Sequence, residues 1–211
     1  MASLSVAFDA GLPQARWGPL FHVFRLEQRD VVFEWHPVPF PVRARPLLGD
    51  ADVGVFVHPP DEPSVSAVAI DASPMVVVMA AGHPLADNVD LTVADVIEQP
   101  FPGGRGLDPD WVAFWTLDEQ RGGPAERPDD DVTDAPQGLE VIAAGRAIGT
   151  VPIWMAGCLT HPGVVALPLR DGPPVITSLV WRTGDENPLV RRFVELAKAW
   201  TAEGRRNGQG P

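Results

Sequence analysis

Side chains able to do chemistry are few in this chain of 211 residues, and they are scattered. Cys158 is the sole cysteine, which excludes an internal disulfide and a thiolate metal cluster. Tyrosine is absent, and Lys198 is the only lysine beside fifteen arginines, so lysine-based covalent chemistry is not expected. His22, His36, His58, His83 and His161 share no spacing that sets two of them on one helical face, so no metal site is expected. Asp129-Asp-Asp131 lacks the glycine and distal glutamate of a calcium loop and reads as a solvated acidic turn. No cofactor is expected either. Gly103-Gly-Arg-Gly106 is only a fragment of a dinucleotide fingerprint, and no Gly-x-Ser-x-Gly, phosphate-binding loop or pair of catalytic carboxylates stands out. What remains is recognition: Arg105, in that turn, could grip a carboxylate with two parallel hydrogen bonds, the alternative being a solvated surface arginine.

The elements that would position such groups follow an α/β grammar. Leu4–Phe8 reads as a strand, and Trp17, Leu20, Phe21 and Phe24 recur at helical spacing, with Pro19 a kink or restart. Strands are predicted at 31–36, 53–57, 65–70 and 75–80, with a short helix over 42–48 ending at Gly49. This βαβαβ start predicts parallel pairing. After the turn Gly82-His-Pro-Leu-Ala86, helices are predicted at 93–97, from Pro109 to about Gln120 with a stop at Gly122-Gly123, and after the cap Asp134. Ala143-Ala-Gly-Arg-Ala-Ile-Gly-Thr-Val-Pro152 then closes a helix at Gly145, enters a buried strand and reaches a proline suited to open a helix. Strands over 164–169, returning toward the first lobe, and 175–181 follow. Asn187-Pro188 opens a last helix with Leu189, Phe193, Leu196, Ala197 and Trp200 inward, and the tail from Glu203 is expected to fray.

With 45% hydrophobic and 21% charged residues the chain can build a substantial core, as one large domain or two lobes. A net charge of -12, from 28 acidic against 16 basic residues, argues against a nucleic-acid surface. The first residues, Met1 to Phe8, lack a basic region and a long apolar core, so no secretion signal is read, and no apolar run is long enough for a membrane span. A cytoplasmic protein is the expectation.

In order along the chain, Val6-Ala-Phe8, Asp52-Val-Gly54, Gly82-His-Pro-Leu-Ala86, Gly138-Leu-Glu-Val-Ile-Ala-Ala-Gly145, Val151-Pro152 and Asn187-Pro-Leu-Val-Arg-Arg-Phe193 resemble the effector-binding domain of LysR-type transcriptional regulators. The resemblance implies a two-lobed α/β fold like the type II periplasmic binding proteins. Lobe I would comprise about 1–78 and 172–211 and lobe II about 79–171, each a mixed sheet flanked by helices, with two crossover segments and an effector cleft between them. It implies a regulator's small-molecule sensor and not an enzyme; alternatives are a free-standing solute-binding protein or an enzyme on the same bilobal fold. The chain starts at the first domain strand, so the winged helix-turn-helix that would contact DNA is expected to lie outside it. Pro41 and Pro46 shorten a helix the family keeps longer.

Carried over by position, the resemblance places Asp9, Ala10 and Gly11 in the first cleft loop, Val57 and His58 after the third strand, Pro102, Gly103, Gly104 and Arg105 in the second-lobe loop, and Pro152 facing the effector. Ligands in open α/β sheets gather at the carboxyl ends of strands, which fits these positions. The expected partners are a small carboxylate or aromatic effector and a second copy of the chain; the helix carrying Trp17 to Phe24 is the candidate for that pairing, the alternative being that its apolar positions serve the lobe's own core. Enlarging Gly104 to tryptophan is expected to fill the cleft.

Overall fold

The computed structural model describes residues 2–38, 48–59, 62–104, 107–127, 132, 134–159 and 161–206. The helix expected over 42–48 and its two prolines fall almost wholly on 39–47, outside the described residues. The chain divides into two compact units, Met1–Ala72 with Ile176–Pro211, and Ser73–Val175.

The first unit holds β1 (Ala2–Asp9), a 3-10 turn (Gln14–Arg16), α1 (Gly18–Glu27), β2 (Val31–Val38), β3 (Val53–Val57), β4 (Val65–Ser73, continuing to the first residue of the second unit), β8 (from Val175 to Arg182) and α7 (Pro188–Arg206). Its sheet runs β2-β1-β3-β8-β4. The βαβαβ start does give parallel pairs, β1 with β2 and β1 with β3, whereas β8 joins β3 antiparallel and makes the sheet mixed. Pro19 starts α1 instead of kinking it, since a proline in the first turn gives up no helical hydrogen bond.

The core on one face of this sheet is aromatic. Phe21 lies 5.2 Å from Trp17, 5.2 Å from Phe33, 5.1 Å from Trp35 and 4.6 Å from Phe193, centroid to centroid. Leu20, Phe21 and Phe24 are therefore used within the unit's own core and are not the apolar stripe of a dimer contact; Leu26, 59% exposed, is the large apolar residue α1 leaves outward. Asn187 caps α7 through its side-chain oxygen, which accepts from the Leu189 N–H at 3.0 Å. The fully buried stripe of α7 is Val190, Phe193, Val194 and Ala197, with Leu189, Leu196 and Trp200 half-buried, one position round from the expected face. Thr201 completes it, its hydroxyl donating to the Ala69 carbonyl at 2.6 Å. The helix keeps its backbone through Arg206 where fraying was expected, because each residue added to a docked helix gains a hydrogen bond without a new nucleation cost.

The second unit holds β5 (Met75–Ala80), α2 (Val93–Val96), α3 (Pro109–Trp115), α4 (Asp118–Arg121), α5 (Ala135–Ala143), β6 (Gly149–Pro152), α6 (Ile153–Ala156) and β7 (Val164–Pro168). Its sheet is β6-β5-β7, all antiparallel. β7 thus stays within the second unit, pairing Val165 with Met79, instead of heading back to the first. Asp134 caps α5, and Gly145 at φ 71° closes it: the Gly145 N–H donates to Ile142 O at 2.9 Å and the Arg146 N–H to Val141 O at 3.3 Å, the two bonds of a Schellman motif. The helix expected over 109–120 is two. Leu117 turns left-handed at φ 59° to bury its side chain, and the Thr116 hydroxyl bonds Asp118 Oδ1 at 2.6 Å, which restarts the chain as α4.

Candidate functional site

Parallel pairing puts the carboxyl ends of β1, β2 and β3 at one edge of the first unit's sheet, and antiparallel β8 brings its amino end to the same edge. Asp9, Ala10, Gly11, Val57 and His58 therefore meet there. Asp9 is buried, and its Oδ2 accepts the Val57 N–H at 2.7 Å; this carboxylate staples β1 to the end of β3 and is committed before any ligand arrives. The Ala10 N–H donates to Val38 O at 2.9 Å and the Leu12 N–H to Asp9 O at 2.9 Å, so the loop is a hydrogen-bonded turn with Ala10 and Gly11 exposed at its tip. Val57 is fully buried and serves through its backbone. His58, half-buried, stands at φ 45°, a strained conformation for a residue with a side chain, and is held there by its N–H on Ile176 O at 2.7 Å.

Sequence reasoning missed Thr177 at this edge. It pairs directly with Val57 in the β3–β8 register, is 1% exposed, and its hydroxyl has no hydrogen-bond partner among the described residues. The signal was present, since Thr177-Ser178 is a polar pair inside an otherwise apolar strand. Arg16 was missed as well; its Nε sits 2.5 Å from Asp71 Oδ2 and Nη2 3.2 Å from Ala72 O, tying the turn before α1 to the end of β4.

In the second unit, Pro152 is the last residue of β6, buried, opposite Met75, and the next N–H, of Ile153, donates to Pro74 O at 2.9 Å. It flanks the helix start as its cap instead of occupying the first helical position. Pro102, Gly103 and Gly104 are half-buried on a segment anchored by Phe101, whose N–H bonds Glu126 O at 2.9 Å. This segment neighbours β6, because Ile148 N–H bonds Pro100 O at 2.9 Å. A Cβ on Gly104 would stand 3.1 Å from Leu107 Cδ1 and 3.2 Å from Val112 Cγ2, so a side chain there presses on the unit's own packing, whatever it does to a ligand. Gly11 has no atom within 4 Å of that position. Arg105 lies outside the described residues.

A separate hollow of about 430 Å³, lined by Ala80, Gly82, His83, Ala143, Gly145 and Gly163, opens at the far end of β5 from Pro152. His83 Nδ1 is occupied by the Leu85 N–H at 3.2 Å, and small residues and backbone form the rest of its wall. Among the described residues no group of three His, Cys, Asp or Glu could hold a metal ion, and no helix is long and apolar enough to cross a membrane.

Known proteins give this geometry a context. A family model described as the LysR substrate binding domain matches residues 2–202. The Hca operon transcriptional activator HcaR of Escherichia coli (strain K12) is 25% identical over 184 residues, covering 83% of this chain and 60% of that protein, so the chain spans less than two thirds of this relative's length. Among solved structures, the BenM effector binding domain with its effector benzoate superposes with a TM-score of 0.70 at 16% identity, over 100% of this chain and 95% of that one. The effector binding domain of QuiR in complex with shikimate gives 0.68 at 17% identity, over 96% and 98%. Both likenesses concern the fold.

Proposed function

From the premise that this chain belongs to the LysR substrate-binding domain family, we propose that it is the effector-sensing part of a transcriptional regulator. The residues proposed to take part in holding a small organic molecule are, in the first unit, Asp9–Gly11, Val57 and His58, and, in the second unit by itself, Pro102–Gly104, Arg105 and Pro152. The observation that carries this reading is that two loops carried over from the resemblance, Asp9–Gly11 and Val57-His58, meet at one end of the sheet, with a strained His58 beside them and a Thr177 hydroxyl that has no partner among the described residues. The role of these loops is binding and not turnover. Benzoate and shikimate, the ligands of the two structural neighbours, support a small organic anion as the effector class. A regulator of transcription works in the cytoplasm and reaches DNA through a helix-turn-helix reader, and a second copy of the chain is its proposed partner. A chain with a net charge of -12 contributes little to DNA contact itself.

Screening small carboxylates and aromatic compounds by thermal melting tests the reading. A true effector at one hundred times its Kd adds about 2.7 kcal/mol of apparent stability and saturates. Recovery of the bound compound unchanged separates sensing from the enzyme alternative. Absence of any saturable stabilisation at millimolar concentrations of such compounds contradicts the proposal.

A further inference from the structure

Among the described residues Arg121 lacks a counter-charge, in a unit rich in acidic residues. Residues 73–175 contain fifteen acidic and five basic residues, a net of -10. Arg127 pairs with Asp118 at 3.4 Å and Arg170 with Asp90 at 3.1 Å. Arg121 has no carboxylate within 4 Å among the described residues, although its side chain is half-buried. Its Nη2 makes a single long contact, 3.5 Å, to the Gln99 carbonyl, and its Nε is enclosed with no acceptor. Other half-buried arginines are treated differently: Arg16 has Asp71, and Arg182 donates to the carbonyls of Ala51 at 2.7 Å and Gly49 at 2.6 Å. A partly desolvated cation is costly without a partner, and folded chains rarely leave one so.

The side chain is nevertheless held in place. Its guanidinium carbon lies 5.6 Å from the centroid of Phe101, itself 1% exposed, and α4 ends directly after it at Gly122, left-handed at φ 75°. A cation fixed against a buried ring with donors to spare is preorganised for an anion with two or more oxygens.

We propose that Arg121 is the cation of an oxyanion site on the second unit, formed with the Gln99–Phe101 segment and taking a small carboxylate or a phosphate. The site adjoins the Pro102–Gly104 loop through Phe101 but rests on Arg121, which is not one of the proposed effector residues, so a response lost only in the Arg121 variants separates the two readings. Melting curves in sodium acetate and in sodium phosphate, each against sodium chloride at equal ionic strength, provide the test. The wild-type chain is expected to melt at a saturably higher temperature in at least one oxyanion, and the arm that responds identifies the source. The control Arg170→Met, whose guanidinium is exposed and already paired, keeps the rise, while Arg121→Met loses it and melts in chloride no lower than the wild type, because an uncompensated charge has been removed. Arg121→Gln carries the comparison should Arg121→Met not fold. A wild type that responds to neither oxyanion, or an Arg121 variant that keeps the full response, overturns the proposal.

Discussion

Replacing Phe193 with alanine is expected to cost about 3–5 kcal/mol, a large part of the 5–15 kcal/mol that typically holds a domain together. Phe193 is fully buried on α7, with its ring 4.6 Å from Phe21 and 4.8 Å from Phe24, at angles of 65° and 55°. These contacts join α7, from the end of the chain, to α1, from its beginning. Truncation removes the transfer free energy of the ring and leaves a cavity whose aromatic walls are themselves wedged against β2, so they cannot collapse inward. Phe193→Leu, which keeps most of the volume, should cost much less. Denaturant midpoints at unchanged slope measure both. A loss below about 1 kcal/mol for the alanine variant contradicts the description of this core.

Local signals in the sequence were enough to find most elements. Asn187-Pro188 and Gly145 mark helix ends by their own chemistry, and β-branched runs such as Met75-Val-Val-Val78 mark buried strands. Signals that depend on distant partners were not legible. Nothing near Leu117 announces a left-handed residue, because the gain comes from burying its side chain, and nothing in Asp9 distinguishes a ligand contact from a carboxylate whose acceptor duty is to Val57, 48 residues away. The rotation of the α7 stripe by one position has the same origin: the helix faces its sheet where Phe193 meets Phe21 and Phe24, and Val190 and Val194 follow from that. At the candidate site, resemblance supplied the positions, and the structure supplied which atoms are already committed.

The second large effect is on ligand affinity. Gly11→Trp is expected to weaken effector binding about a hundredfold or more, equivalent to about 2.7 kcal/mol, while leaving the fold intact. Gly11 is exposed at the tip of the β1 loop, its backbone is not left-handed, and a side chain meets nothing within 4 Å, so an indole stands over the sheet edge without straining the unit. Gly104→Trp, by contrast, would act first on stability through Leu107 and Val112. Calorimetric titration of the best compound from the melting screen into both the wild type and Gly11→Trp gives the ratio. An unchanged Kd in a folded variant moves the effector away from this loop.

Amide hydrogen exchange of the wild-type chain, with and without that compound at saturation, tests the central assignment most directly, because it locates the ligand without altering the protein. Protection is expected to rise across Asp9–Leu12, at Val57 and His58, and in the second unit at Gly103–Gly104 and Ile153, the residues following the strand ends. Protection confined to the hollow around Ala80–Pro84 and Ala143–Gly145, with the strand-end loops exchanging as before, would place the effector at the opposite end of β5 and contradict the account.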